Sequence, residues 1–126
     1  MTFERKVRIE SQADVVGTDT LASEQTITAE IDTGSETSPY TLVTPPAGRA
    51  VSTRMCIIQT DSAAGDVAVK FQTSGDLIYK VYCSKFYGNP APHLNVQGAA
   101  DEPVVVDWSE VDTGARIFVA LTYKIT

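Results

Sequence analysis

Apolar and polar residues alternate along much of this chain with the two-residue period of a β-strand. The pattern is clearest in residues 115–126 and recurs in residues 24–32 and 2–10. The residues predicted to share one face are Phe3, Arg5, Val7 and Ile9 in the first of these segments, Ile27, Ala29 and Ile31 in the second, and Ile117, Val119, Leu121, Tyr123 and Ile125 in the last. Such alternation is typical of strands with one buried face.

Strand-like runs rich in Val, Ile, Thr and Tyr are separated by turns rich in Gly, Pro, Asp and Ser, and no segment has helical periodicity. The chain therefore predicts an all-β protein with eight or nine short strands. We expect an antiparallel β-sandwich that resembles a jelly roll. The predicted strands are 2–10, 24–32, 40–44, 50–60, 67–71, 77–85, 93–98, 103–108 and 115–126.

Residues 77–85 differ from the other runs because they carry apolar side chains at both odd and even positions. This pattern predicts a strand near the middle of a sheet or one covered by a neighbouring subunit. The region from 11 to 39 is mostly Ser, Thr, Asp, Glu and Gly. We therefore divide the single domain into a polar N-terminal strand and extended arm, residues 1–39, and a sandwich core, residues 40–126.

The composition narrows the classes of function. A net charge of −6 would repel a nucleic-acid backbone, and the chain has no Lys/Arg cluster outside residues 4–8. No run approaches the length of a membrane span, and the first residues lack a signal-peptide apolar region, so we expect synthesis in a cytoplasm. In that compartment Cys56 and Cys83 are predicted to remain thiols.

The sequence Asp-Thr-Gly occurs twice, at 32–34 and 112–114. In aspartic proteases two such loops meet and their carboxylates share a proton, which makes a homodimeric protease one hypothesis. Against it, Glu30 and Glu110 lie close to these turns, whereas protease loops follow nearly apolar strands. Asp and Thr also stabilise ordinary turns through their side chains. The turn interpretation is favoured, and we expect no enzymatic activity.

No set of residues predicts a metal or cofactor site. His93 is the sole histidine, and neither 32–37 nor 61–66 has the ligand pattern of an EF-hand. The aromatic residues Phe86, Tyr87 and Trp108 leave open a second function, a module that binds carbohydrate or protein through exposed rings.

From Tyr40 onward, the order of turns and strands resembles that of small β-rich virion proteins of tailed bacteriophages. The motifs that carry the resemblance lie at 65–71, 82–86 and 98–103, and residues 1–39 are outside it. The resemblance implies a capsid decoration, or cement, protein that binds the major capsid protein as a homotrimer and resides in the virion. The residues then expected to contact partners are Phe3, Val7, Ile27, Ile31, Tyr79, Phe86 and Tyr87.

Overall fold

The computed structural model describes residues 24–83 and 95–126. These residues form seven β-strands and no helix, so none of them belongs to a helix that could cross a membrane. The strands are β1 (Glu24–Asp32), β2 (Tyr40–Val43), β3 (Val51–Thr60), β4 (Asp66–Phe71), β5 (Leu77–Tyr82), β6 (Val104–Ser109) and β7 (Arg116–Ile125).

The strands form two antiparallel sheets. One has three strands in the order β1-β7-β3, and the other has four in the order β2-β6-β4-β5. A single hydrophobic cluster contains buried residues of both sheets, so the sheets pack against each other through one core. The largest completely buried side chains include Phe71, Ile58 and Ile117. The all-β prediction is confirmed, and the arrangement is that of two facing layers.

The predicted alternation is confirmed in β1 and β7. Ile117, Val119 and Leu121 of β7 are completely buried, whereas Phe118 between them is exposed. The nine residues of β1 pair with β7 without a register shift. Since β1 lies in the stretch that the sequence assigns to the N-terminal arm, the sheet extends back to residue 24 and does not begin at residue 40. Residues 1–23 lie outside the described part.

Two of the nine predicted strands are not among the seven described ones. The run at 2–10 lies outside the described residues, and so do residues 93 and 94 of the run at 93–98. The described part of that run, residues 95–98, forms a single β-bridge, Gln97 to Ser52. The described count is therefore seven, and the total of eight or nine remains a prediction.

Within the described residues, the strand formed by the run at 77–85 does not lie near the middle of a sheet, and the alternative, cover by a neighbouring subunit, stays a prediction. Strand β5 is an edge strand, hydrogen-bonded to β4 alone among the described strands. Its apolar residues do lie on both faces, with Ile78 buried and Leu77 exposed. A run with two apolar faces is also compatible with an edge strand whose outer face stays uncovered, which local sequence does not reveal.

Both cysteines are free thiols, as predicted for a reducing compartment. Cys56 is completely buried in the core, and this burial raises the pKa of its thiol to about 12. Burial also raises the pKa of the Cys83 thiol, with smaller contributions from the carboxylates of Asp66 and Asp112. Because the thiolate is the reactive form, both side chains behave as small apolar groups at neutral pH.

Candidate functional site

The two Asp-Thr-Gly turns lie side by side at one end of the sheets. Strand β1 ends at Asp32 and its register partner Arg116 begins β7, so the turn after β1 meets the turn before β7. The backbone N–H of Thr33 donates to the carbonyl oxygen of Ala115 over 3.1 Å. The Thr33 hydroxyl donates to the same oxygen over 2.7 Å. Proximity of the two motifs is therefore a result of strand order.

The carboxylates of the two motifs have separate partners. Oδ1 of Asp32 accepts a hydrogen bond from the backbone N–H of Gly34 over 2.9 Å. Oδ2 of Asp112 accepts one from the N–H of Ala63 over 2.7 Å, which ties its turn to the β3–β4 loop. These are the side-chain contacts of turn-capping residues, in agreement with the turn interpretation.

The two glycines of these motifs have different conformations. Gly114 has a φ of 75°, the left-handed region that glycine adopts at low cost. Gly34 does not have a positive φ, and a Cβ placed there would lie 3.2 Å from Oδ1 of Asp32 and at an ordinary contact distance, 3.6 Å, from the Cα of Gly114. Gly114 thus meets a conformational requirement, whereas a side chain at position 34 would crowd only the Asp32 carboxylate.

A surface depression of about 380 Å³ lies beside the turns. Trp108 is half-buried there, and the backbone of Glu110 has a φ of 58°, uncommon for a residue other than glycine. Within the described ranges no cluster of three or more His, Cys, Asp or Glu side chains has the arrangement of a metal site. The lining residues are Thr33, Trp108, Glu110, Val111, Asp112, Thr113 and Gly114.

The residues expected to contact partners lie in different environments. Ile27 on β1 and Tyr79 on β5 are half-buried at opposite sides of the two-sheet structure. Ile31 is 1% exposed and belongs to the core, so its side chain is already covered within one chain. Phe3, Val7, Phe86 and Tyr87 lie outside the described residues.

The structure exposes large apolar side chains that the sequence did not single out. Leu77 and Tyr82 on β5 are 53% and 58% exposed, and Phe118 on β7 is 37% exposed. The Lys80 ammonium lies over the Tyr82 ring, 4.9 Å from its centre, so one side of that ring has a cationic neighbour. For Phe118 the signal was present in the sequence, because it is a bulky apolar residue at a position of β7 where the alternation predicts a polar one.

An acidic row follows the outer face of β1. Arg54 of β3 forms an ion pair of 2.5 Å with Glu24. Arg116 lies 3.8 Å from Glu30 and also 3.8 Å from Asp32, so one cation serves two carboxylates. The side chains of Arg116, Glu30 and Asp32 are all more than one-third exposed, and ion pairs between exposed groups contribute little to stability.

No protein-family model and no curated protein matches this sequence. Among solved structures, the fold is similar to a chain in the acidic stable capsid structure of Helicobacter pylori bacteriophage KHP30. The TM-score is 0.57, the identity is 15%, and the similarity covers 80% of this chain and 86% of that chain. At this identity the likeness is one of fold.

Proposed function

We propose that this chain is a structural protein of a phage-like particle, specifically a head decoration protein that binds the major capsid protein as a homotrimer and resides in the virion. The observation that carries the proposal is the similarity of its fold to a chain found in a phage capsid structure, over most of both chains. A jelly-roll arrangement, with a strand at residues 2–10 added to the seven described, is part of this proposal.

The surface of the described residues supports binding to partners. Among the described strands, each sheet ends in strands that pair on one side only, and Leu77 and Tyr82 lie on one of these edges, β5. Isolated exposed apolar residues are common, but two large ones on one unprotected edge create a risk of non-specific association. A closed oligomer or a capsid shell that covers this edge would remove the risk.

The proposal includes no enzymatic step and no cofactor. Asp32 and Asp112, the carboxylates that suggested a protease, each accept a hydrogen bond from a different turn backbone. Their role in this proposal is to hold the turns that join the ends of β1 and β7.

Co-sedimentation with particles tests the proposal. The purified protein is mixed with heads assembled from the major capsid protein encoded in the same genome and then centrifuged. We expect saturable binding at a fixed number of copies per head and a higher temperature for head disruption. A protein that remains in the supernatant at all concentrations would count decisively against a decoration role.

Two surface variants map the contact in the same assay. Leu77→Ser with Tyr82→Ser changes the β5 edge, whereas Phe118→Ser changes the outer face of the other sheet. If the shell covers the β5 edge, the first variant lowers the affinity and the second does not. Thermal unfolding of each variant confirms that the fold is retained.

A carbohydrate-binding module is a second candidate, favoured by the depression that Trp108 lines together with Glu110 and Asp112. An aromatic ring beside carboxylates could stack on a sugar while the carboxylates accept hydrogen bonds from its hydroxyl groups. Binding on a glycan array that is lost in Trp108→Phe and Glu110→Gln would support this candidate. Absence of binding to every glycan would remove it.

A further inference from the structure

Among the described residues, no strand lies beside the outer edge of β1 in the three-stranded sheet. Strand β1 is hydrogen-bonded to β7 along its whole length and, among the described strands, to no other. It is nine residues long and has no bulge, so its outer edge presents a regular row of backbone donors and acceptors. Long, regular edges of this kind readily accept another strand.

The described residues leave the hydrophobic core incompletely covered at the same edge. Ile27 and Ala29 of β1 face the core but are only partly buried, whereas their register partners Leu121 and Val119 are completely buried. A further strand beside β1 with apolar side chains on its inner face would cover them. Removal of these side chains from water would stabilise the added strand through the hydrophobic effect.

The charges on the outer face of β1 indicate which charge a strand added beside it should carry. Glu30 and Asp32 are 66% and 44% exposed and share Arg116 as their counter-ion. Antiparallel pairing of β1 with a second β1 centred at Thr28 would place Glu24 opposite Asp32, a like-charge pair at each end. The edge therefore favours a strand with cations on its outer face.

The chain contains one segment with this combination. Residues 3–9 alternate as a strand, with Phe3, Arg5, Val7 and Ile9 on one face and Glu4, Lys6 and Arg8 on the other. Of the first face, Val7 and Ile9 are the residues that would lie opposite β1 itself, whereas Arg5 would lie opposite Thr33, beyond its end. The same stretch holds the chain's Lys/Arg cluster. We propose that residues 3–9 of one copy add to β1 of a neighbouring copy as an antiparallel fourth strand.

Charge selects one register for this pairing. With Arg8 opposite Glu30, Lys6 lies opposite Asp32, and the acidic residues that flank the segment lie opposite Gly34 and Thr28. A shift of two residues in one direction places Glu4 opposite Asp32, and a shift in the other direction places Glu10 opposite Glu30. Like charges directly opposite destabilise a strand pair.

The favoured register also satisfies the core face. Val7 then lies beside Ile31, and Ile9 lies beside Ala29 and diagonal to Ile27. These are the inner positions of β1, of which Ala29 and Ile27 are partly buried. One register therefore places apolar residues against the open core and cations against the acidic row.

The length of the connection favours exchange between copies over pairing within one chain. Residues 11–23 separate the segment from β1, whereas hairpin loops typically have about 2–5 residues. When extended, such a connection spans about 40 Å, enough to reach a neighbouring subunit. Head-to-tail exchange generates a ring when the rotation between copies closes, as a homotrimer requires. This inference therefore rests on the proposed homo-oligomer and names the contact that holds it together.

The oligomer mass in solution tests the exchange without any capsid. We expect the full chain to be an oligomer by light scattering and native mass spectrometry, and a chain without residues 1–10 to be a folded monomer. A monomeric full chain would overturn the inference, since pairing within one chain leaves a monomer. An oligomer that survives the deletion would overturn it as well.

Charge reversal tests the register. Arg8→Glu should weaken the oligomer several-fold, and adding Glu30→Arg to the same chain should restore it. Glu36→Arg, the same charge change at an exposed position after β1, is the matched control and should restore nothing. Loss of the oligomer on deletion combined with no effect of Arg8→Glu would reject β1 as the acceptor.

Co-sedimentation of the shortened chain separates this inference from the proposed function. If the full chain forms the exchanged oligomer but never binds heads, the decoration role fails and the exchange stands. If heads bind a protein whose oligomer does not depend on residues 1–10, the exchange fails and the decoration role stands.

Discussion

Thr33 donates two hydrogen bonds to the carbonyl oxygen of Ala115, one from its backbone N–H and one from its hydroxyl. The contact joins residues 82 positions apart in the sequence and fastens the turn after β1 to the turn before β7. The two Asp-Thr-Gly turns are thus held together by this pair of hydrogen bonds, which we call the clasp.

Removal of the Thr33 hydroxyl tests this clasp. Thr33→Val keeps the shape of the side chain and the backbone bond but loses the bond from Oγ1. We expect the free energy of unfolding to fall by about 1 kcal/mol in urea denaturation. Thr28→Val, the same substitution at an exposed position of β1, is the control and should change stability by less than half as much. Equal effects at both positions would contradict the clasp.

Position 98 has no room for a side chain, because the aromatic ring of a core residue lies against its backbone. A Cβ at this position would lie 2.3 Å from Cε1 of Phe71, a side chain that is completely buried. We expect Gly98→Ala to lower the free energy of unfolding by about 1–3 kcal/mol through overpacking.

A second substitution shows whether the Phe71 ring is the cause of that loss. Phe71→Leu makes room near Gly98, so the double variant should be less destabilised than the sum of the two single variants. Strict additivity in chemical denaturation would indicate that the ring does not limit position 98.

The hydrogen bonds that Glu102 accepts make the free energy of unfolding dependent on pH. Its side chain is nearly buried, and its carboxylate accepts hydrogen bonds from the backbone N–H groups of Ser74 and Ala99. The bond from Ser74, followed by that from Ala99, lowers the carboxyl pKa against the opposing effect of burial. Hydrogen bonds to a charged group contribute about 1.5–3 kcal/mol each when fully formed.

Because the folded-state pKa lies below the unfolded value of about 4.3, folding favours the ionised form of Glu102. Its stabilisation is complete above that unfolded value and is lost as the pH falls through the folded-state pKa. Glu102→Gln should therefore be less stable than the native protein at pH 7, with a smaller difference at pH 3. Denaturation at both pH values measures this, and a constant difference would refute the assignment.

Substitution of Asp112, together with a peptide-cleavage assay, distinguishes the turn interpretation from the protease hypothesis. Its carboxylate accepts from Ala63, so Asp112→Ala should lower the free energy of unfolding by about 1–2 kcal/mol. The exposed Glu36→Ala is the control and should have little effect. We expect no peptide cleavage by the native protein between pH 3 and 7. Acid-dependent cleavage that Asp32→Asn abolishes would instead establish the protease.

Much of the candidate site was not predictable from local sequence. The alternation predicts β1 and β7 as strands and places Ile27 and Ile31 on one face of β1. It also placed Ile31 among the partner contacts, although the structure buries it in the core. Ile31 is buried and Ile27 only partly so because the opposite sheet covers one position more fully than the other. The order of residues along a single strand carries no information about the extent of the opposite sheet.

The all-β class, the approximate positions of the seven described strands and the turns that Asp, Thr and Gly form can be predicted from local sequence, because they depend on interactions between residues a few positions apart. That the two Asp-Thr-Gly turns meet, that β5 lies at an edge among the described strands, and that Gly98 lies against Phe71 becomes visible only in the folded chain. Such contacts follow from the order of strands in each sheet. That order is selected by the free energy of packing the whole core, to which distant residues contribute together.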